Sequence, residues 1–162
     1  MLINKCPSGC CTIKVKPYIK SSFQFQKSSK STRKAGAFIY DPSISKVLMV
    51  QSKGNLWGSP KGTVKQGESD VECAIREVKE ETGLDVSQET FERYVNIKNK
   101  ATYFYMEMSI CDVNIQDELE DNDVNGIGWI NLDCLEQIIK NGDIKLNQHS
   151  RFIFQKFLDK YY

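Results

Sequence analysis

The chain has a single histidine, no apolar run long enough to span a bilayer and, over its first forty residues, no acid at all. Each absence excludes something. His149 lies in a C-terminal helical segment far from any nucleophile motif, so a Ser-His-Asp or Cys-His mechanism has no support and His149 reads as a surface or packing residue. A membrane-spanning helix needs about 20 apolar residues, and the N-terminus lacks an uninterrupted apolar core of the signal-peptide kind. The expectation is a soluble cytoplasmic protein with no membrane partner. Internal repeats and low-complexity linkers are also missing, so 162 residues at 40% hydrophobic content point to one compact domain.

The missing acids expose a polarity that a formal net charge of +1 conceals. Lys5, Lys14, Lys16, Lys20, Lys27, Lys30, Arg33 and Lys34 precede the first carboxylate, Asp41. Residues 1–33 are therefore read as a basic N-terminal arm on the domain 34–162. Three uses stay open for it. It is a solvated or edge-strand arm, since Thr12 to Lys16 alternates like a strand. Alternatively, it contacts RNA phosphates, with Tyr18, Phe23 and Phe25 to stack on bases. The third is an acid-poor transit segment, which Pro17 disfavours by interrupting an amphipathic helix.

Six cysteines do not read as a disulfide framework. Cys73, Cys111 and Cys134 fall in segments that suggest reduced core thiols. Cys6, Cys10 and Cys11 cluster in CPSGCC, and clustered thiolates bind zinc, but a tetrahedral site needs a fourth ligand and the usual paired spacing is missing.

Strands are expected at Ala35 to Tyr40, Lys46 to Gln51, Phe91 to Ile97, Thr102 to Ile110 and Gly126 to Ile130, with helices from about Asp133 to Lys140 and Asn147 to Tyr162. The most informative segment is GTVKQGESDVECAIREVKEETGL, residues 62–84. Ser69 and Glu72 form a capping-box pattern, Val71, Ala74, Ile75 and Val78 make one apolar stripe, and Gly83 suits a left-handed cap. Glu77, Glu80 and Glu81 then crowd the other side, where like charges repel. A solvated acidic face with a Glu72–Arg76 pair would account for a bare acidic helix. A divalent cation such as Mg²⁺, which takes hard oxygen ligands and shares carboxylates with substrate phosphates, offsets the repulsion more directly.

These residues also resemble the Nudix box at every position: Gly62, Glu68 and then Arg76-Glu77-Val78-Lys79-Glu80-Glu81-Thr82-Gly83-Leu84. The resemblance implies an α+β fold, the Nudix α/β/α sandwich with a mixed central sheet, and a metal-dependent hydrolase of nucleoside diphosphate-linked substrates. Trp57-Gly58-Ser59-Pro60-Lys61-Gly62 ahead of the box, KAGAFIYDPSISKVLMVQ upstream and VNGIGWINLDCL downstream resemble the catalytic domain of the mRNA-decapping enzymes, over roughly residues 34–137.

By that resemblance Glu77, Glu80 and Glu81 are metal ligands for Mg²⁺ or Mn²⁺, with the Gly62 carbonyl as a further ligand. Lys61 sits at the phosphate chain, Trp57 at the substrate, and Arg76 orients Glu77. Asp123, or Glu120, takes the general-base place before Trp129. Lys145, Arg151, Lys156 and Lys160 make a C-terminal RNA track, while Phe152, Phe154, Phe157 and Leu158 pack the same helix on the body. Three departures stand out: Ser59 replaces a usual phenylalanine, Thr63 a frequent lysine, and residues 1–33 are too few for that family's all-helical regulatory domain. A protein partner would then supply activation.

The decapping reading gives 7-methylguanosine diphosphate and 5′-monophosphate RNA from capped RNA. A dinucleoside polyphosphate hydrolase, which shares the tryptophan and Pro-Lys-Gly, is the alternative. Diphosphoinositol or nucleotide-sugar substrates share the chemistry. From another class, a noncatalytic RNA-binding module would have little use for repulsive glutamates held together.

Overall fold

The computed structural model describes residues 2–17, 33–52, 55–116 and 123–162, with side chains from Cys6 onward. Tyr18, Lys20, Phe23, Phe25, Lys27, Lys30 and Glu120, named above, lie outside the described residues, as do the side chain of Lys5 and the stretch 117–122 around Glu120. In chain order the elements are β1 (Leu2–Lys5), β2 (Thr12–Val15), β3 (Lys34–Asp41), β4 (Lys46–Ser52), β5 (Leu56–Gly58), β6 (Lys61–Thr63), α1 (Asp70–Thr82), β7 (Arg93–Ile97), β8 (Ala101–Glu107), β9 (Val124–Asn131), α2 (Leu132–Lys140), β10 (Lys145–Leu146) and α3 (Gln148–Leu158). The main sheet runs β1-β2-β9-β4-β3-β8-β7, with β5 on β4, β10 on β5 and β6 on β3. Of these pairs β3–β8 and β5–β10 are parallel and the others antiparallel, so the sheet is mixed.

Side-chain alternation along the central strands builds two cores, because successive residues of a strand point to opposite faces. Phe38, Val47, Met49, Tyr103, Tyr105 and Ile130 face one way and meet Leu135 and Ile138 of α2 and Ile153, Phe154 and Phe157 of α3. Ala37, Ile39, Leu48, Val50, Met106 and Ile127 face the other way and meet Val78 of α1, with Ala35, Cys73, Ala74 and Phe104 extending that layer. Helices cover both faces, giving the expected α/β/α sandwich.

The N-terminal basic stretch is partly built into the sheet: β2 pairs antiparallel with β9, from Thr12 opposite Trp129 to Val15 opposite Gly126, and β1 pairs with β2. Strand β8 ends at Glu107 rather than continuing to Ile110. Buried Asp41 draws the chain off the sheet there, accepting from Ile110 N–H at 2.9 Å. The last helix ends at Leu158 rather than Tyr162: Asp159 adopts a left-handed cap, φ 54°, and the N–H groups of Asp159 and Lys160 bond back to Gln155 and Phe154. Cys111 is exposed, contrary to the expected core thiol, because it lies in the irregular stretch after β8.

Candidate active site

Helix α1 is anchored as its sequence demands. The Ser69 side chain accepts from Glu72 N–H, the Glu72 carboxylate accepts from Ser69 N–H, and Gly83 takes φ 81° at the other end. Cys73, Ala74, Val78 and Thr82 are buried against the sheet, while Val71 and Ile75 of the expected stripe are only half-buried. Because Glu72 serves the cap, the Glu72–Arg76 pair does not form.

Arg76 turns instead to a set of acids. It donates to both oxygens of Glu68 (2.7 and 2.9 Å), to Glu77 at 2.8 Å, to Glu80 at 3.2 Å and to the Thr63 carbonyl at 3.1 Å. One guanidinium fork thus ties the loop after β6 to two box carboxylates, a task its planar geometry suits. The Arg76 hydrogen bonds hold the Glu68 carboxyl down at about 2. Burial pushes Glu77 upward despite Arg76 beside it.

Glu81 points inward. Lys61 N–H donates to its Oε2 at 3.3 Å, and the Lys61 charge and that bond oppose a rise driven by burial and by the negative charges of Glu77 and Asp123. The net direction is well above the ordinary carboxylate range. Asp123 therefore lies within electrostatic reach of Glu81, on the exposed residue just before β9.

The loop carrying Lys61 is positioned by close backbone contacts. Ala37 N–H donates to the Pro60 carbonyl at 3.1 Å, and β6 pairs with β3, Gly36 opposite Lys61 and Ala35 opposite Gly62. A Cβ added at Gly62 would overlap the Glu77 carboxylate, so the missing side chain is what lets this backbone lie against the helix. Ser59, which stands where a phenylalanine was expected, is buried at 4% exposure.

Two residues enter that the sequence did not single out for the site. The Tyr103 hydroxyl and His149 Nδ1 are 3.0 Å apart. Buried Tyr103 feels the charge of Glu81, and half-buried His149 is held below its ordinary value by burial and then by Lys61, Lys100 and Lys34. His149 reaches this neighbourhood because α3 packs back on β5, Asn147 N–H donating to the Trp57 carbonyl at 3.0 Å. Nothing in its sequence spacing signals the approach.

The other expected substrate residues differ in exposure. Trp57 is buried, 3% exposed, and lines a cavity of about 450 Å³ with Ile13, Val15, Gln51 and Ile144. Lys145, Arg151, Lys156 and Lys160 are exposed. Arg151 and Lys156 lie on the face of α3 opposite buried Ile153, Phe154 and Phe157, and Lys160 lies beyond the helix end.

Chemically, Glu77, Glu80, Glu81 and the Gly62 carbonyl are an all-oxygen donor set of the kind Mg²⁺ or Mn²⁺ accepts. The backbone cradle at Gly62 and the upward pressure on Glu81, from burial first and then from the negative charge of its neighbours, both fit a cation there.

Comparison with known proteins identifies the family. Residues 30–150 match the NUDIX domain model. The m7GpppN-mRNA hydrolase of Saccharomyces cerevisiae is 31% identical over 129 residues, taking in 75% of this chain and 13% of that protein. Protein 111R of Invertebrate iridescent virus 3 is 35% identical over 139 residues, 80% of this chain and 77% of that one. The asymmetrical bis(5′-nucleosyl)-tetraphosphatase of Mus musculus is 32% identical over 114 residues, 65% and 77% of the two chains. The chain thus spans only a small part of the yeast relative's length.

Proposed function

The chain belongs to the Nudix hydrolase family, and from that membership we propose that it decaps mRNA, hydrolysing with water one phosphoanhydride bond of the cap's triphosphate bridge to give 7-methylguanosine diphosphate and 5′-monophosphate RNA. One arrangement carries the reading: Glu77 and Glu80 held by Arg76, with Glu81 turned to the Lys61 backbone beside Gly62. Mg²⁺ or Mn²⁺ bound by Glu77, Glu80, Glu81 and the Gly62 carbonyl would polarise a phosphoryl oxygen and activate water. Arg76 positions Glu77. Lys61 steadies a phosphate oxygen through its ammonium, and Asp123 or Glu120 accepts the proton from the attacking water. The likeness to decapping enzymes on both sides of the box, and the yeast m7GpppN-mRNA hydrolase among the relatives, favour capped RNA.

The mouse tetraphosphatase, covered over 77% of its length, supports a second reading, hydrolysis of dinucleoside polyphosphates. A side-by-side assay separates them: cap-labelled RNA, free cap dinucleotide and diadenosine tetraphosphate, each with Mg²⁺ or Mn²⁺, and Glu81→Gln as control. Release of 7-methylguanosine diphosphate from RNA in preference to the dinucleotides is the expected result. Preference for the dinucleotides would overturn decapping, and full activity in Glu81→Gln would overturn the carboxylate assignment.

A further inference from the structure

Apart from the hard oxygen donors of the box, four thiols meet. Cys6, Cys10 and Cys11 come from the turn between β1 and β2, and Cys134 from the first turn of α2, 124 residues beyond Cys10. Their four sulfurs all lie within 4.8 Å of one another, with Cys10–Cys134 at 3.3 Å and Cys6–Cys10 and Cys10–Cys11 at 3.7 Å. A regular tetrahedron around zinc with Zn–S of 2.3 Å has edges of about 3.8 Å, whereas a disulfide brings its sulfurs to about 2.05 Å. All four thiols are free, and the spacing is that of ligands around a shared centre.

The surroundings are those of a thiolate site. Cys11 N–H donates to Cys6 Sγ at 3.3 Å and Asn131 N–H to Cys11 Sγ at 3.2 Å, while the Ser8 hydroxyl lies 3.1 Å from both Cys10 and Cys134. Such donors orient sulfur ligands and stabilise their charge. Gly9, at φ 74°, permits the tight turn that brings Cys10 back beside Cys6, and Cys6-x₃-Cys10 falls within the ligand spacing seen in zinc sites. Cys134 sits at a helix N-terminus, where negative charge is favoured. The fourth ligand, which the local sequence lacked, is thus supplied by a distant helix.

We propose that Cys6, Cys10, Cys11 and Cys134 bind one Zn²⁺ in a closed tetrahedral site that fastens the β1–β2 hairpin to α2. Four protein ligands leave no open position, which marks a structural rather than a catalytic centre, and all-thiolate ligation suits zinc and excludes the hard cations of the box. The hairpin has reason to need fastening: two four-residue strands at a sheet edge are marginal alone. Pro7, inside the cysteine turn, also walls the cavity that Trp57 lines, so the ion would hold that wall in place.

The test is elemental analysis of the full chain purified in reductant with Mg²⁺ as the only added metal. One zinc per chain is expected, kept in Glu81→Gln and Cys111→Ser and lost or halved in Cys134→Ser and Cys10→Ser. Cobalt-loaded protein should show the intense visible bands of tetrahedral thiolate coordination. Should Cys134→Ser fail to fold, the wild type decides: a zinc chelator should lower Tm by several degrees, and zinc but not Mg²⁺ should restore it. Zinc-free protein of unchanged Tm, zinc lost in Glu81→Gln, iron in place of zinc, or a Cys10–Cys134 disulfide in intact-mass analysis would each overturn the proposal. Glu81→Gln keeps this outcome distinct from failure of the hydrolase reading.

Discussion

Gly62 lies so close to Glu77 that a side-chain carbon at position 62 would overlap the carboxylate. The backbone at Gly62 is not in the left-handed region, so alanine there meets a clash and no conformational strain. Gly62→Ala is expected to displace Glu77 by about the width of a methyl group and to lower kcat about 100-fold, with little change in Tm. Full activity in the variant would show that neither the Gly62 backbone nor the seating of Glu77 matters to turnover.

Arg76 bridges Glu68, Glu77 and Glu80, with Nε and one terminal nitrogen on Glu68 and the other terminal nitrogen shared by Glu77 and Glu80. Lysine keeps the charge but loses the fork. Arg76→Lys should therefore leave two of the carboxylates unheld and weaken metal binding about 10- to 100-fold. The shift is measured as the Mg²⁺ concentration giving half-maximal rate, with recovery toward wild-type kcat at saturating metal. An unshifted titration would remove Arg76 from its positioning role.

Much of this arrangement was legible in the residues, and the exceptions have physical causes. Strands β3 and β4 and helix α1 announced themselves because alternation, the capping box and the Gly83 cap all act within a few residues. Strands β5, β6 and β10, three residues long or fewer, carry no periodicity and exist through pairing with distant partners. Arg76 pairs with Glu77, while the alternative Glu72–Arg76 pair gives way because the cap has first claim on Glu72, and Arg76 also takes Glu68. His149 and Cys134 each have company that sequence spacing does not signal, because it comes from elements far along the chain: His149 from Tyr103 and Cys134 from the cysteine turn.

The Glu68–Arg76 pair makes stability depend on acid in a definite direction. Glu68 is held at about 2 in the fold against an ordinary 4.5. A depressed carboxyl contributes its full stabilisation above the unfolded value and loses it as pH falls through the folded one. The contribution is thus whole above about pH 4.5 and fades toward pH 2. Glu68→Gln should cost about 1 to 2 kcal/mol at pH 7 in urea unfolding, the gap between variant and wild type closing over that window. A gap that ignores pH would mean the loss comes from packing.

Arg151 and Lys156 present their charges on the exposed face of α3, away from Ile153, Phe154 and Phe157, so they can be removed without opening the core. If this face guides RNA, each phosphate contact adds about 0.7 to the slope of log kcat/KM against log salt for a single strand. Arg151→Ala with Lys156→Ala should reduce that slope by about 1.4 and lower kcat/KM on capped RNA at low salt. A dinucleoside polyphosphate does not reach along the helix, and its hydrolysis should be unchanged. Equal losses on both substrates would place the two cations at the catalytic centre or in the fold. An unchanged salt slope on RNA would mean that α3 only packs, and that any RNA path crosses another surface.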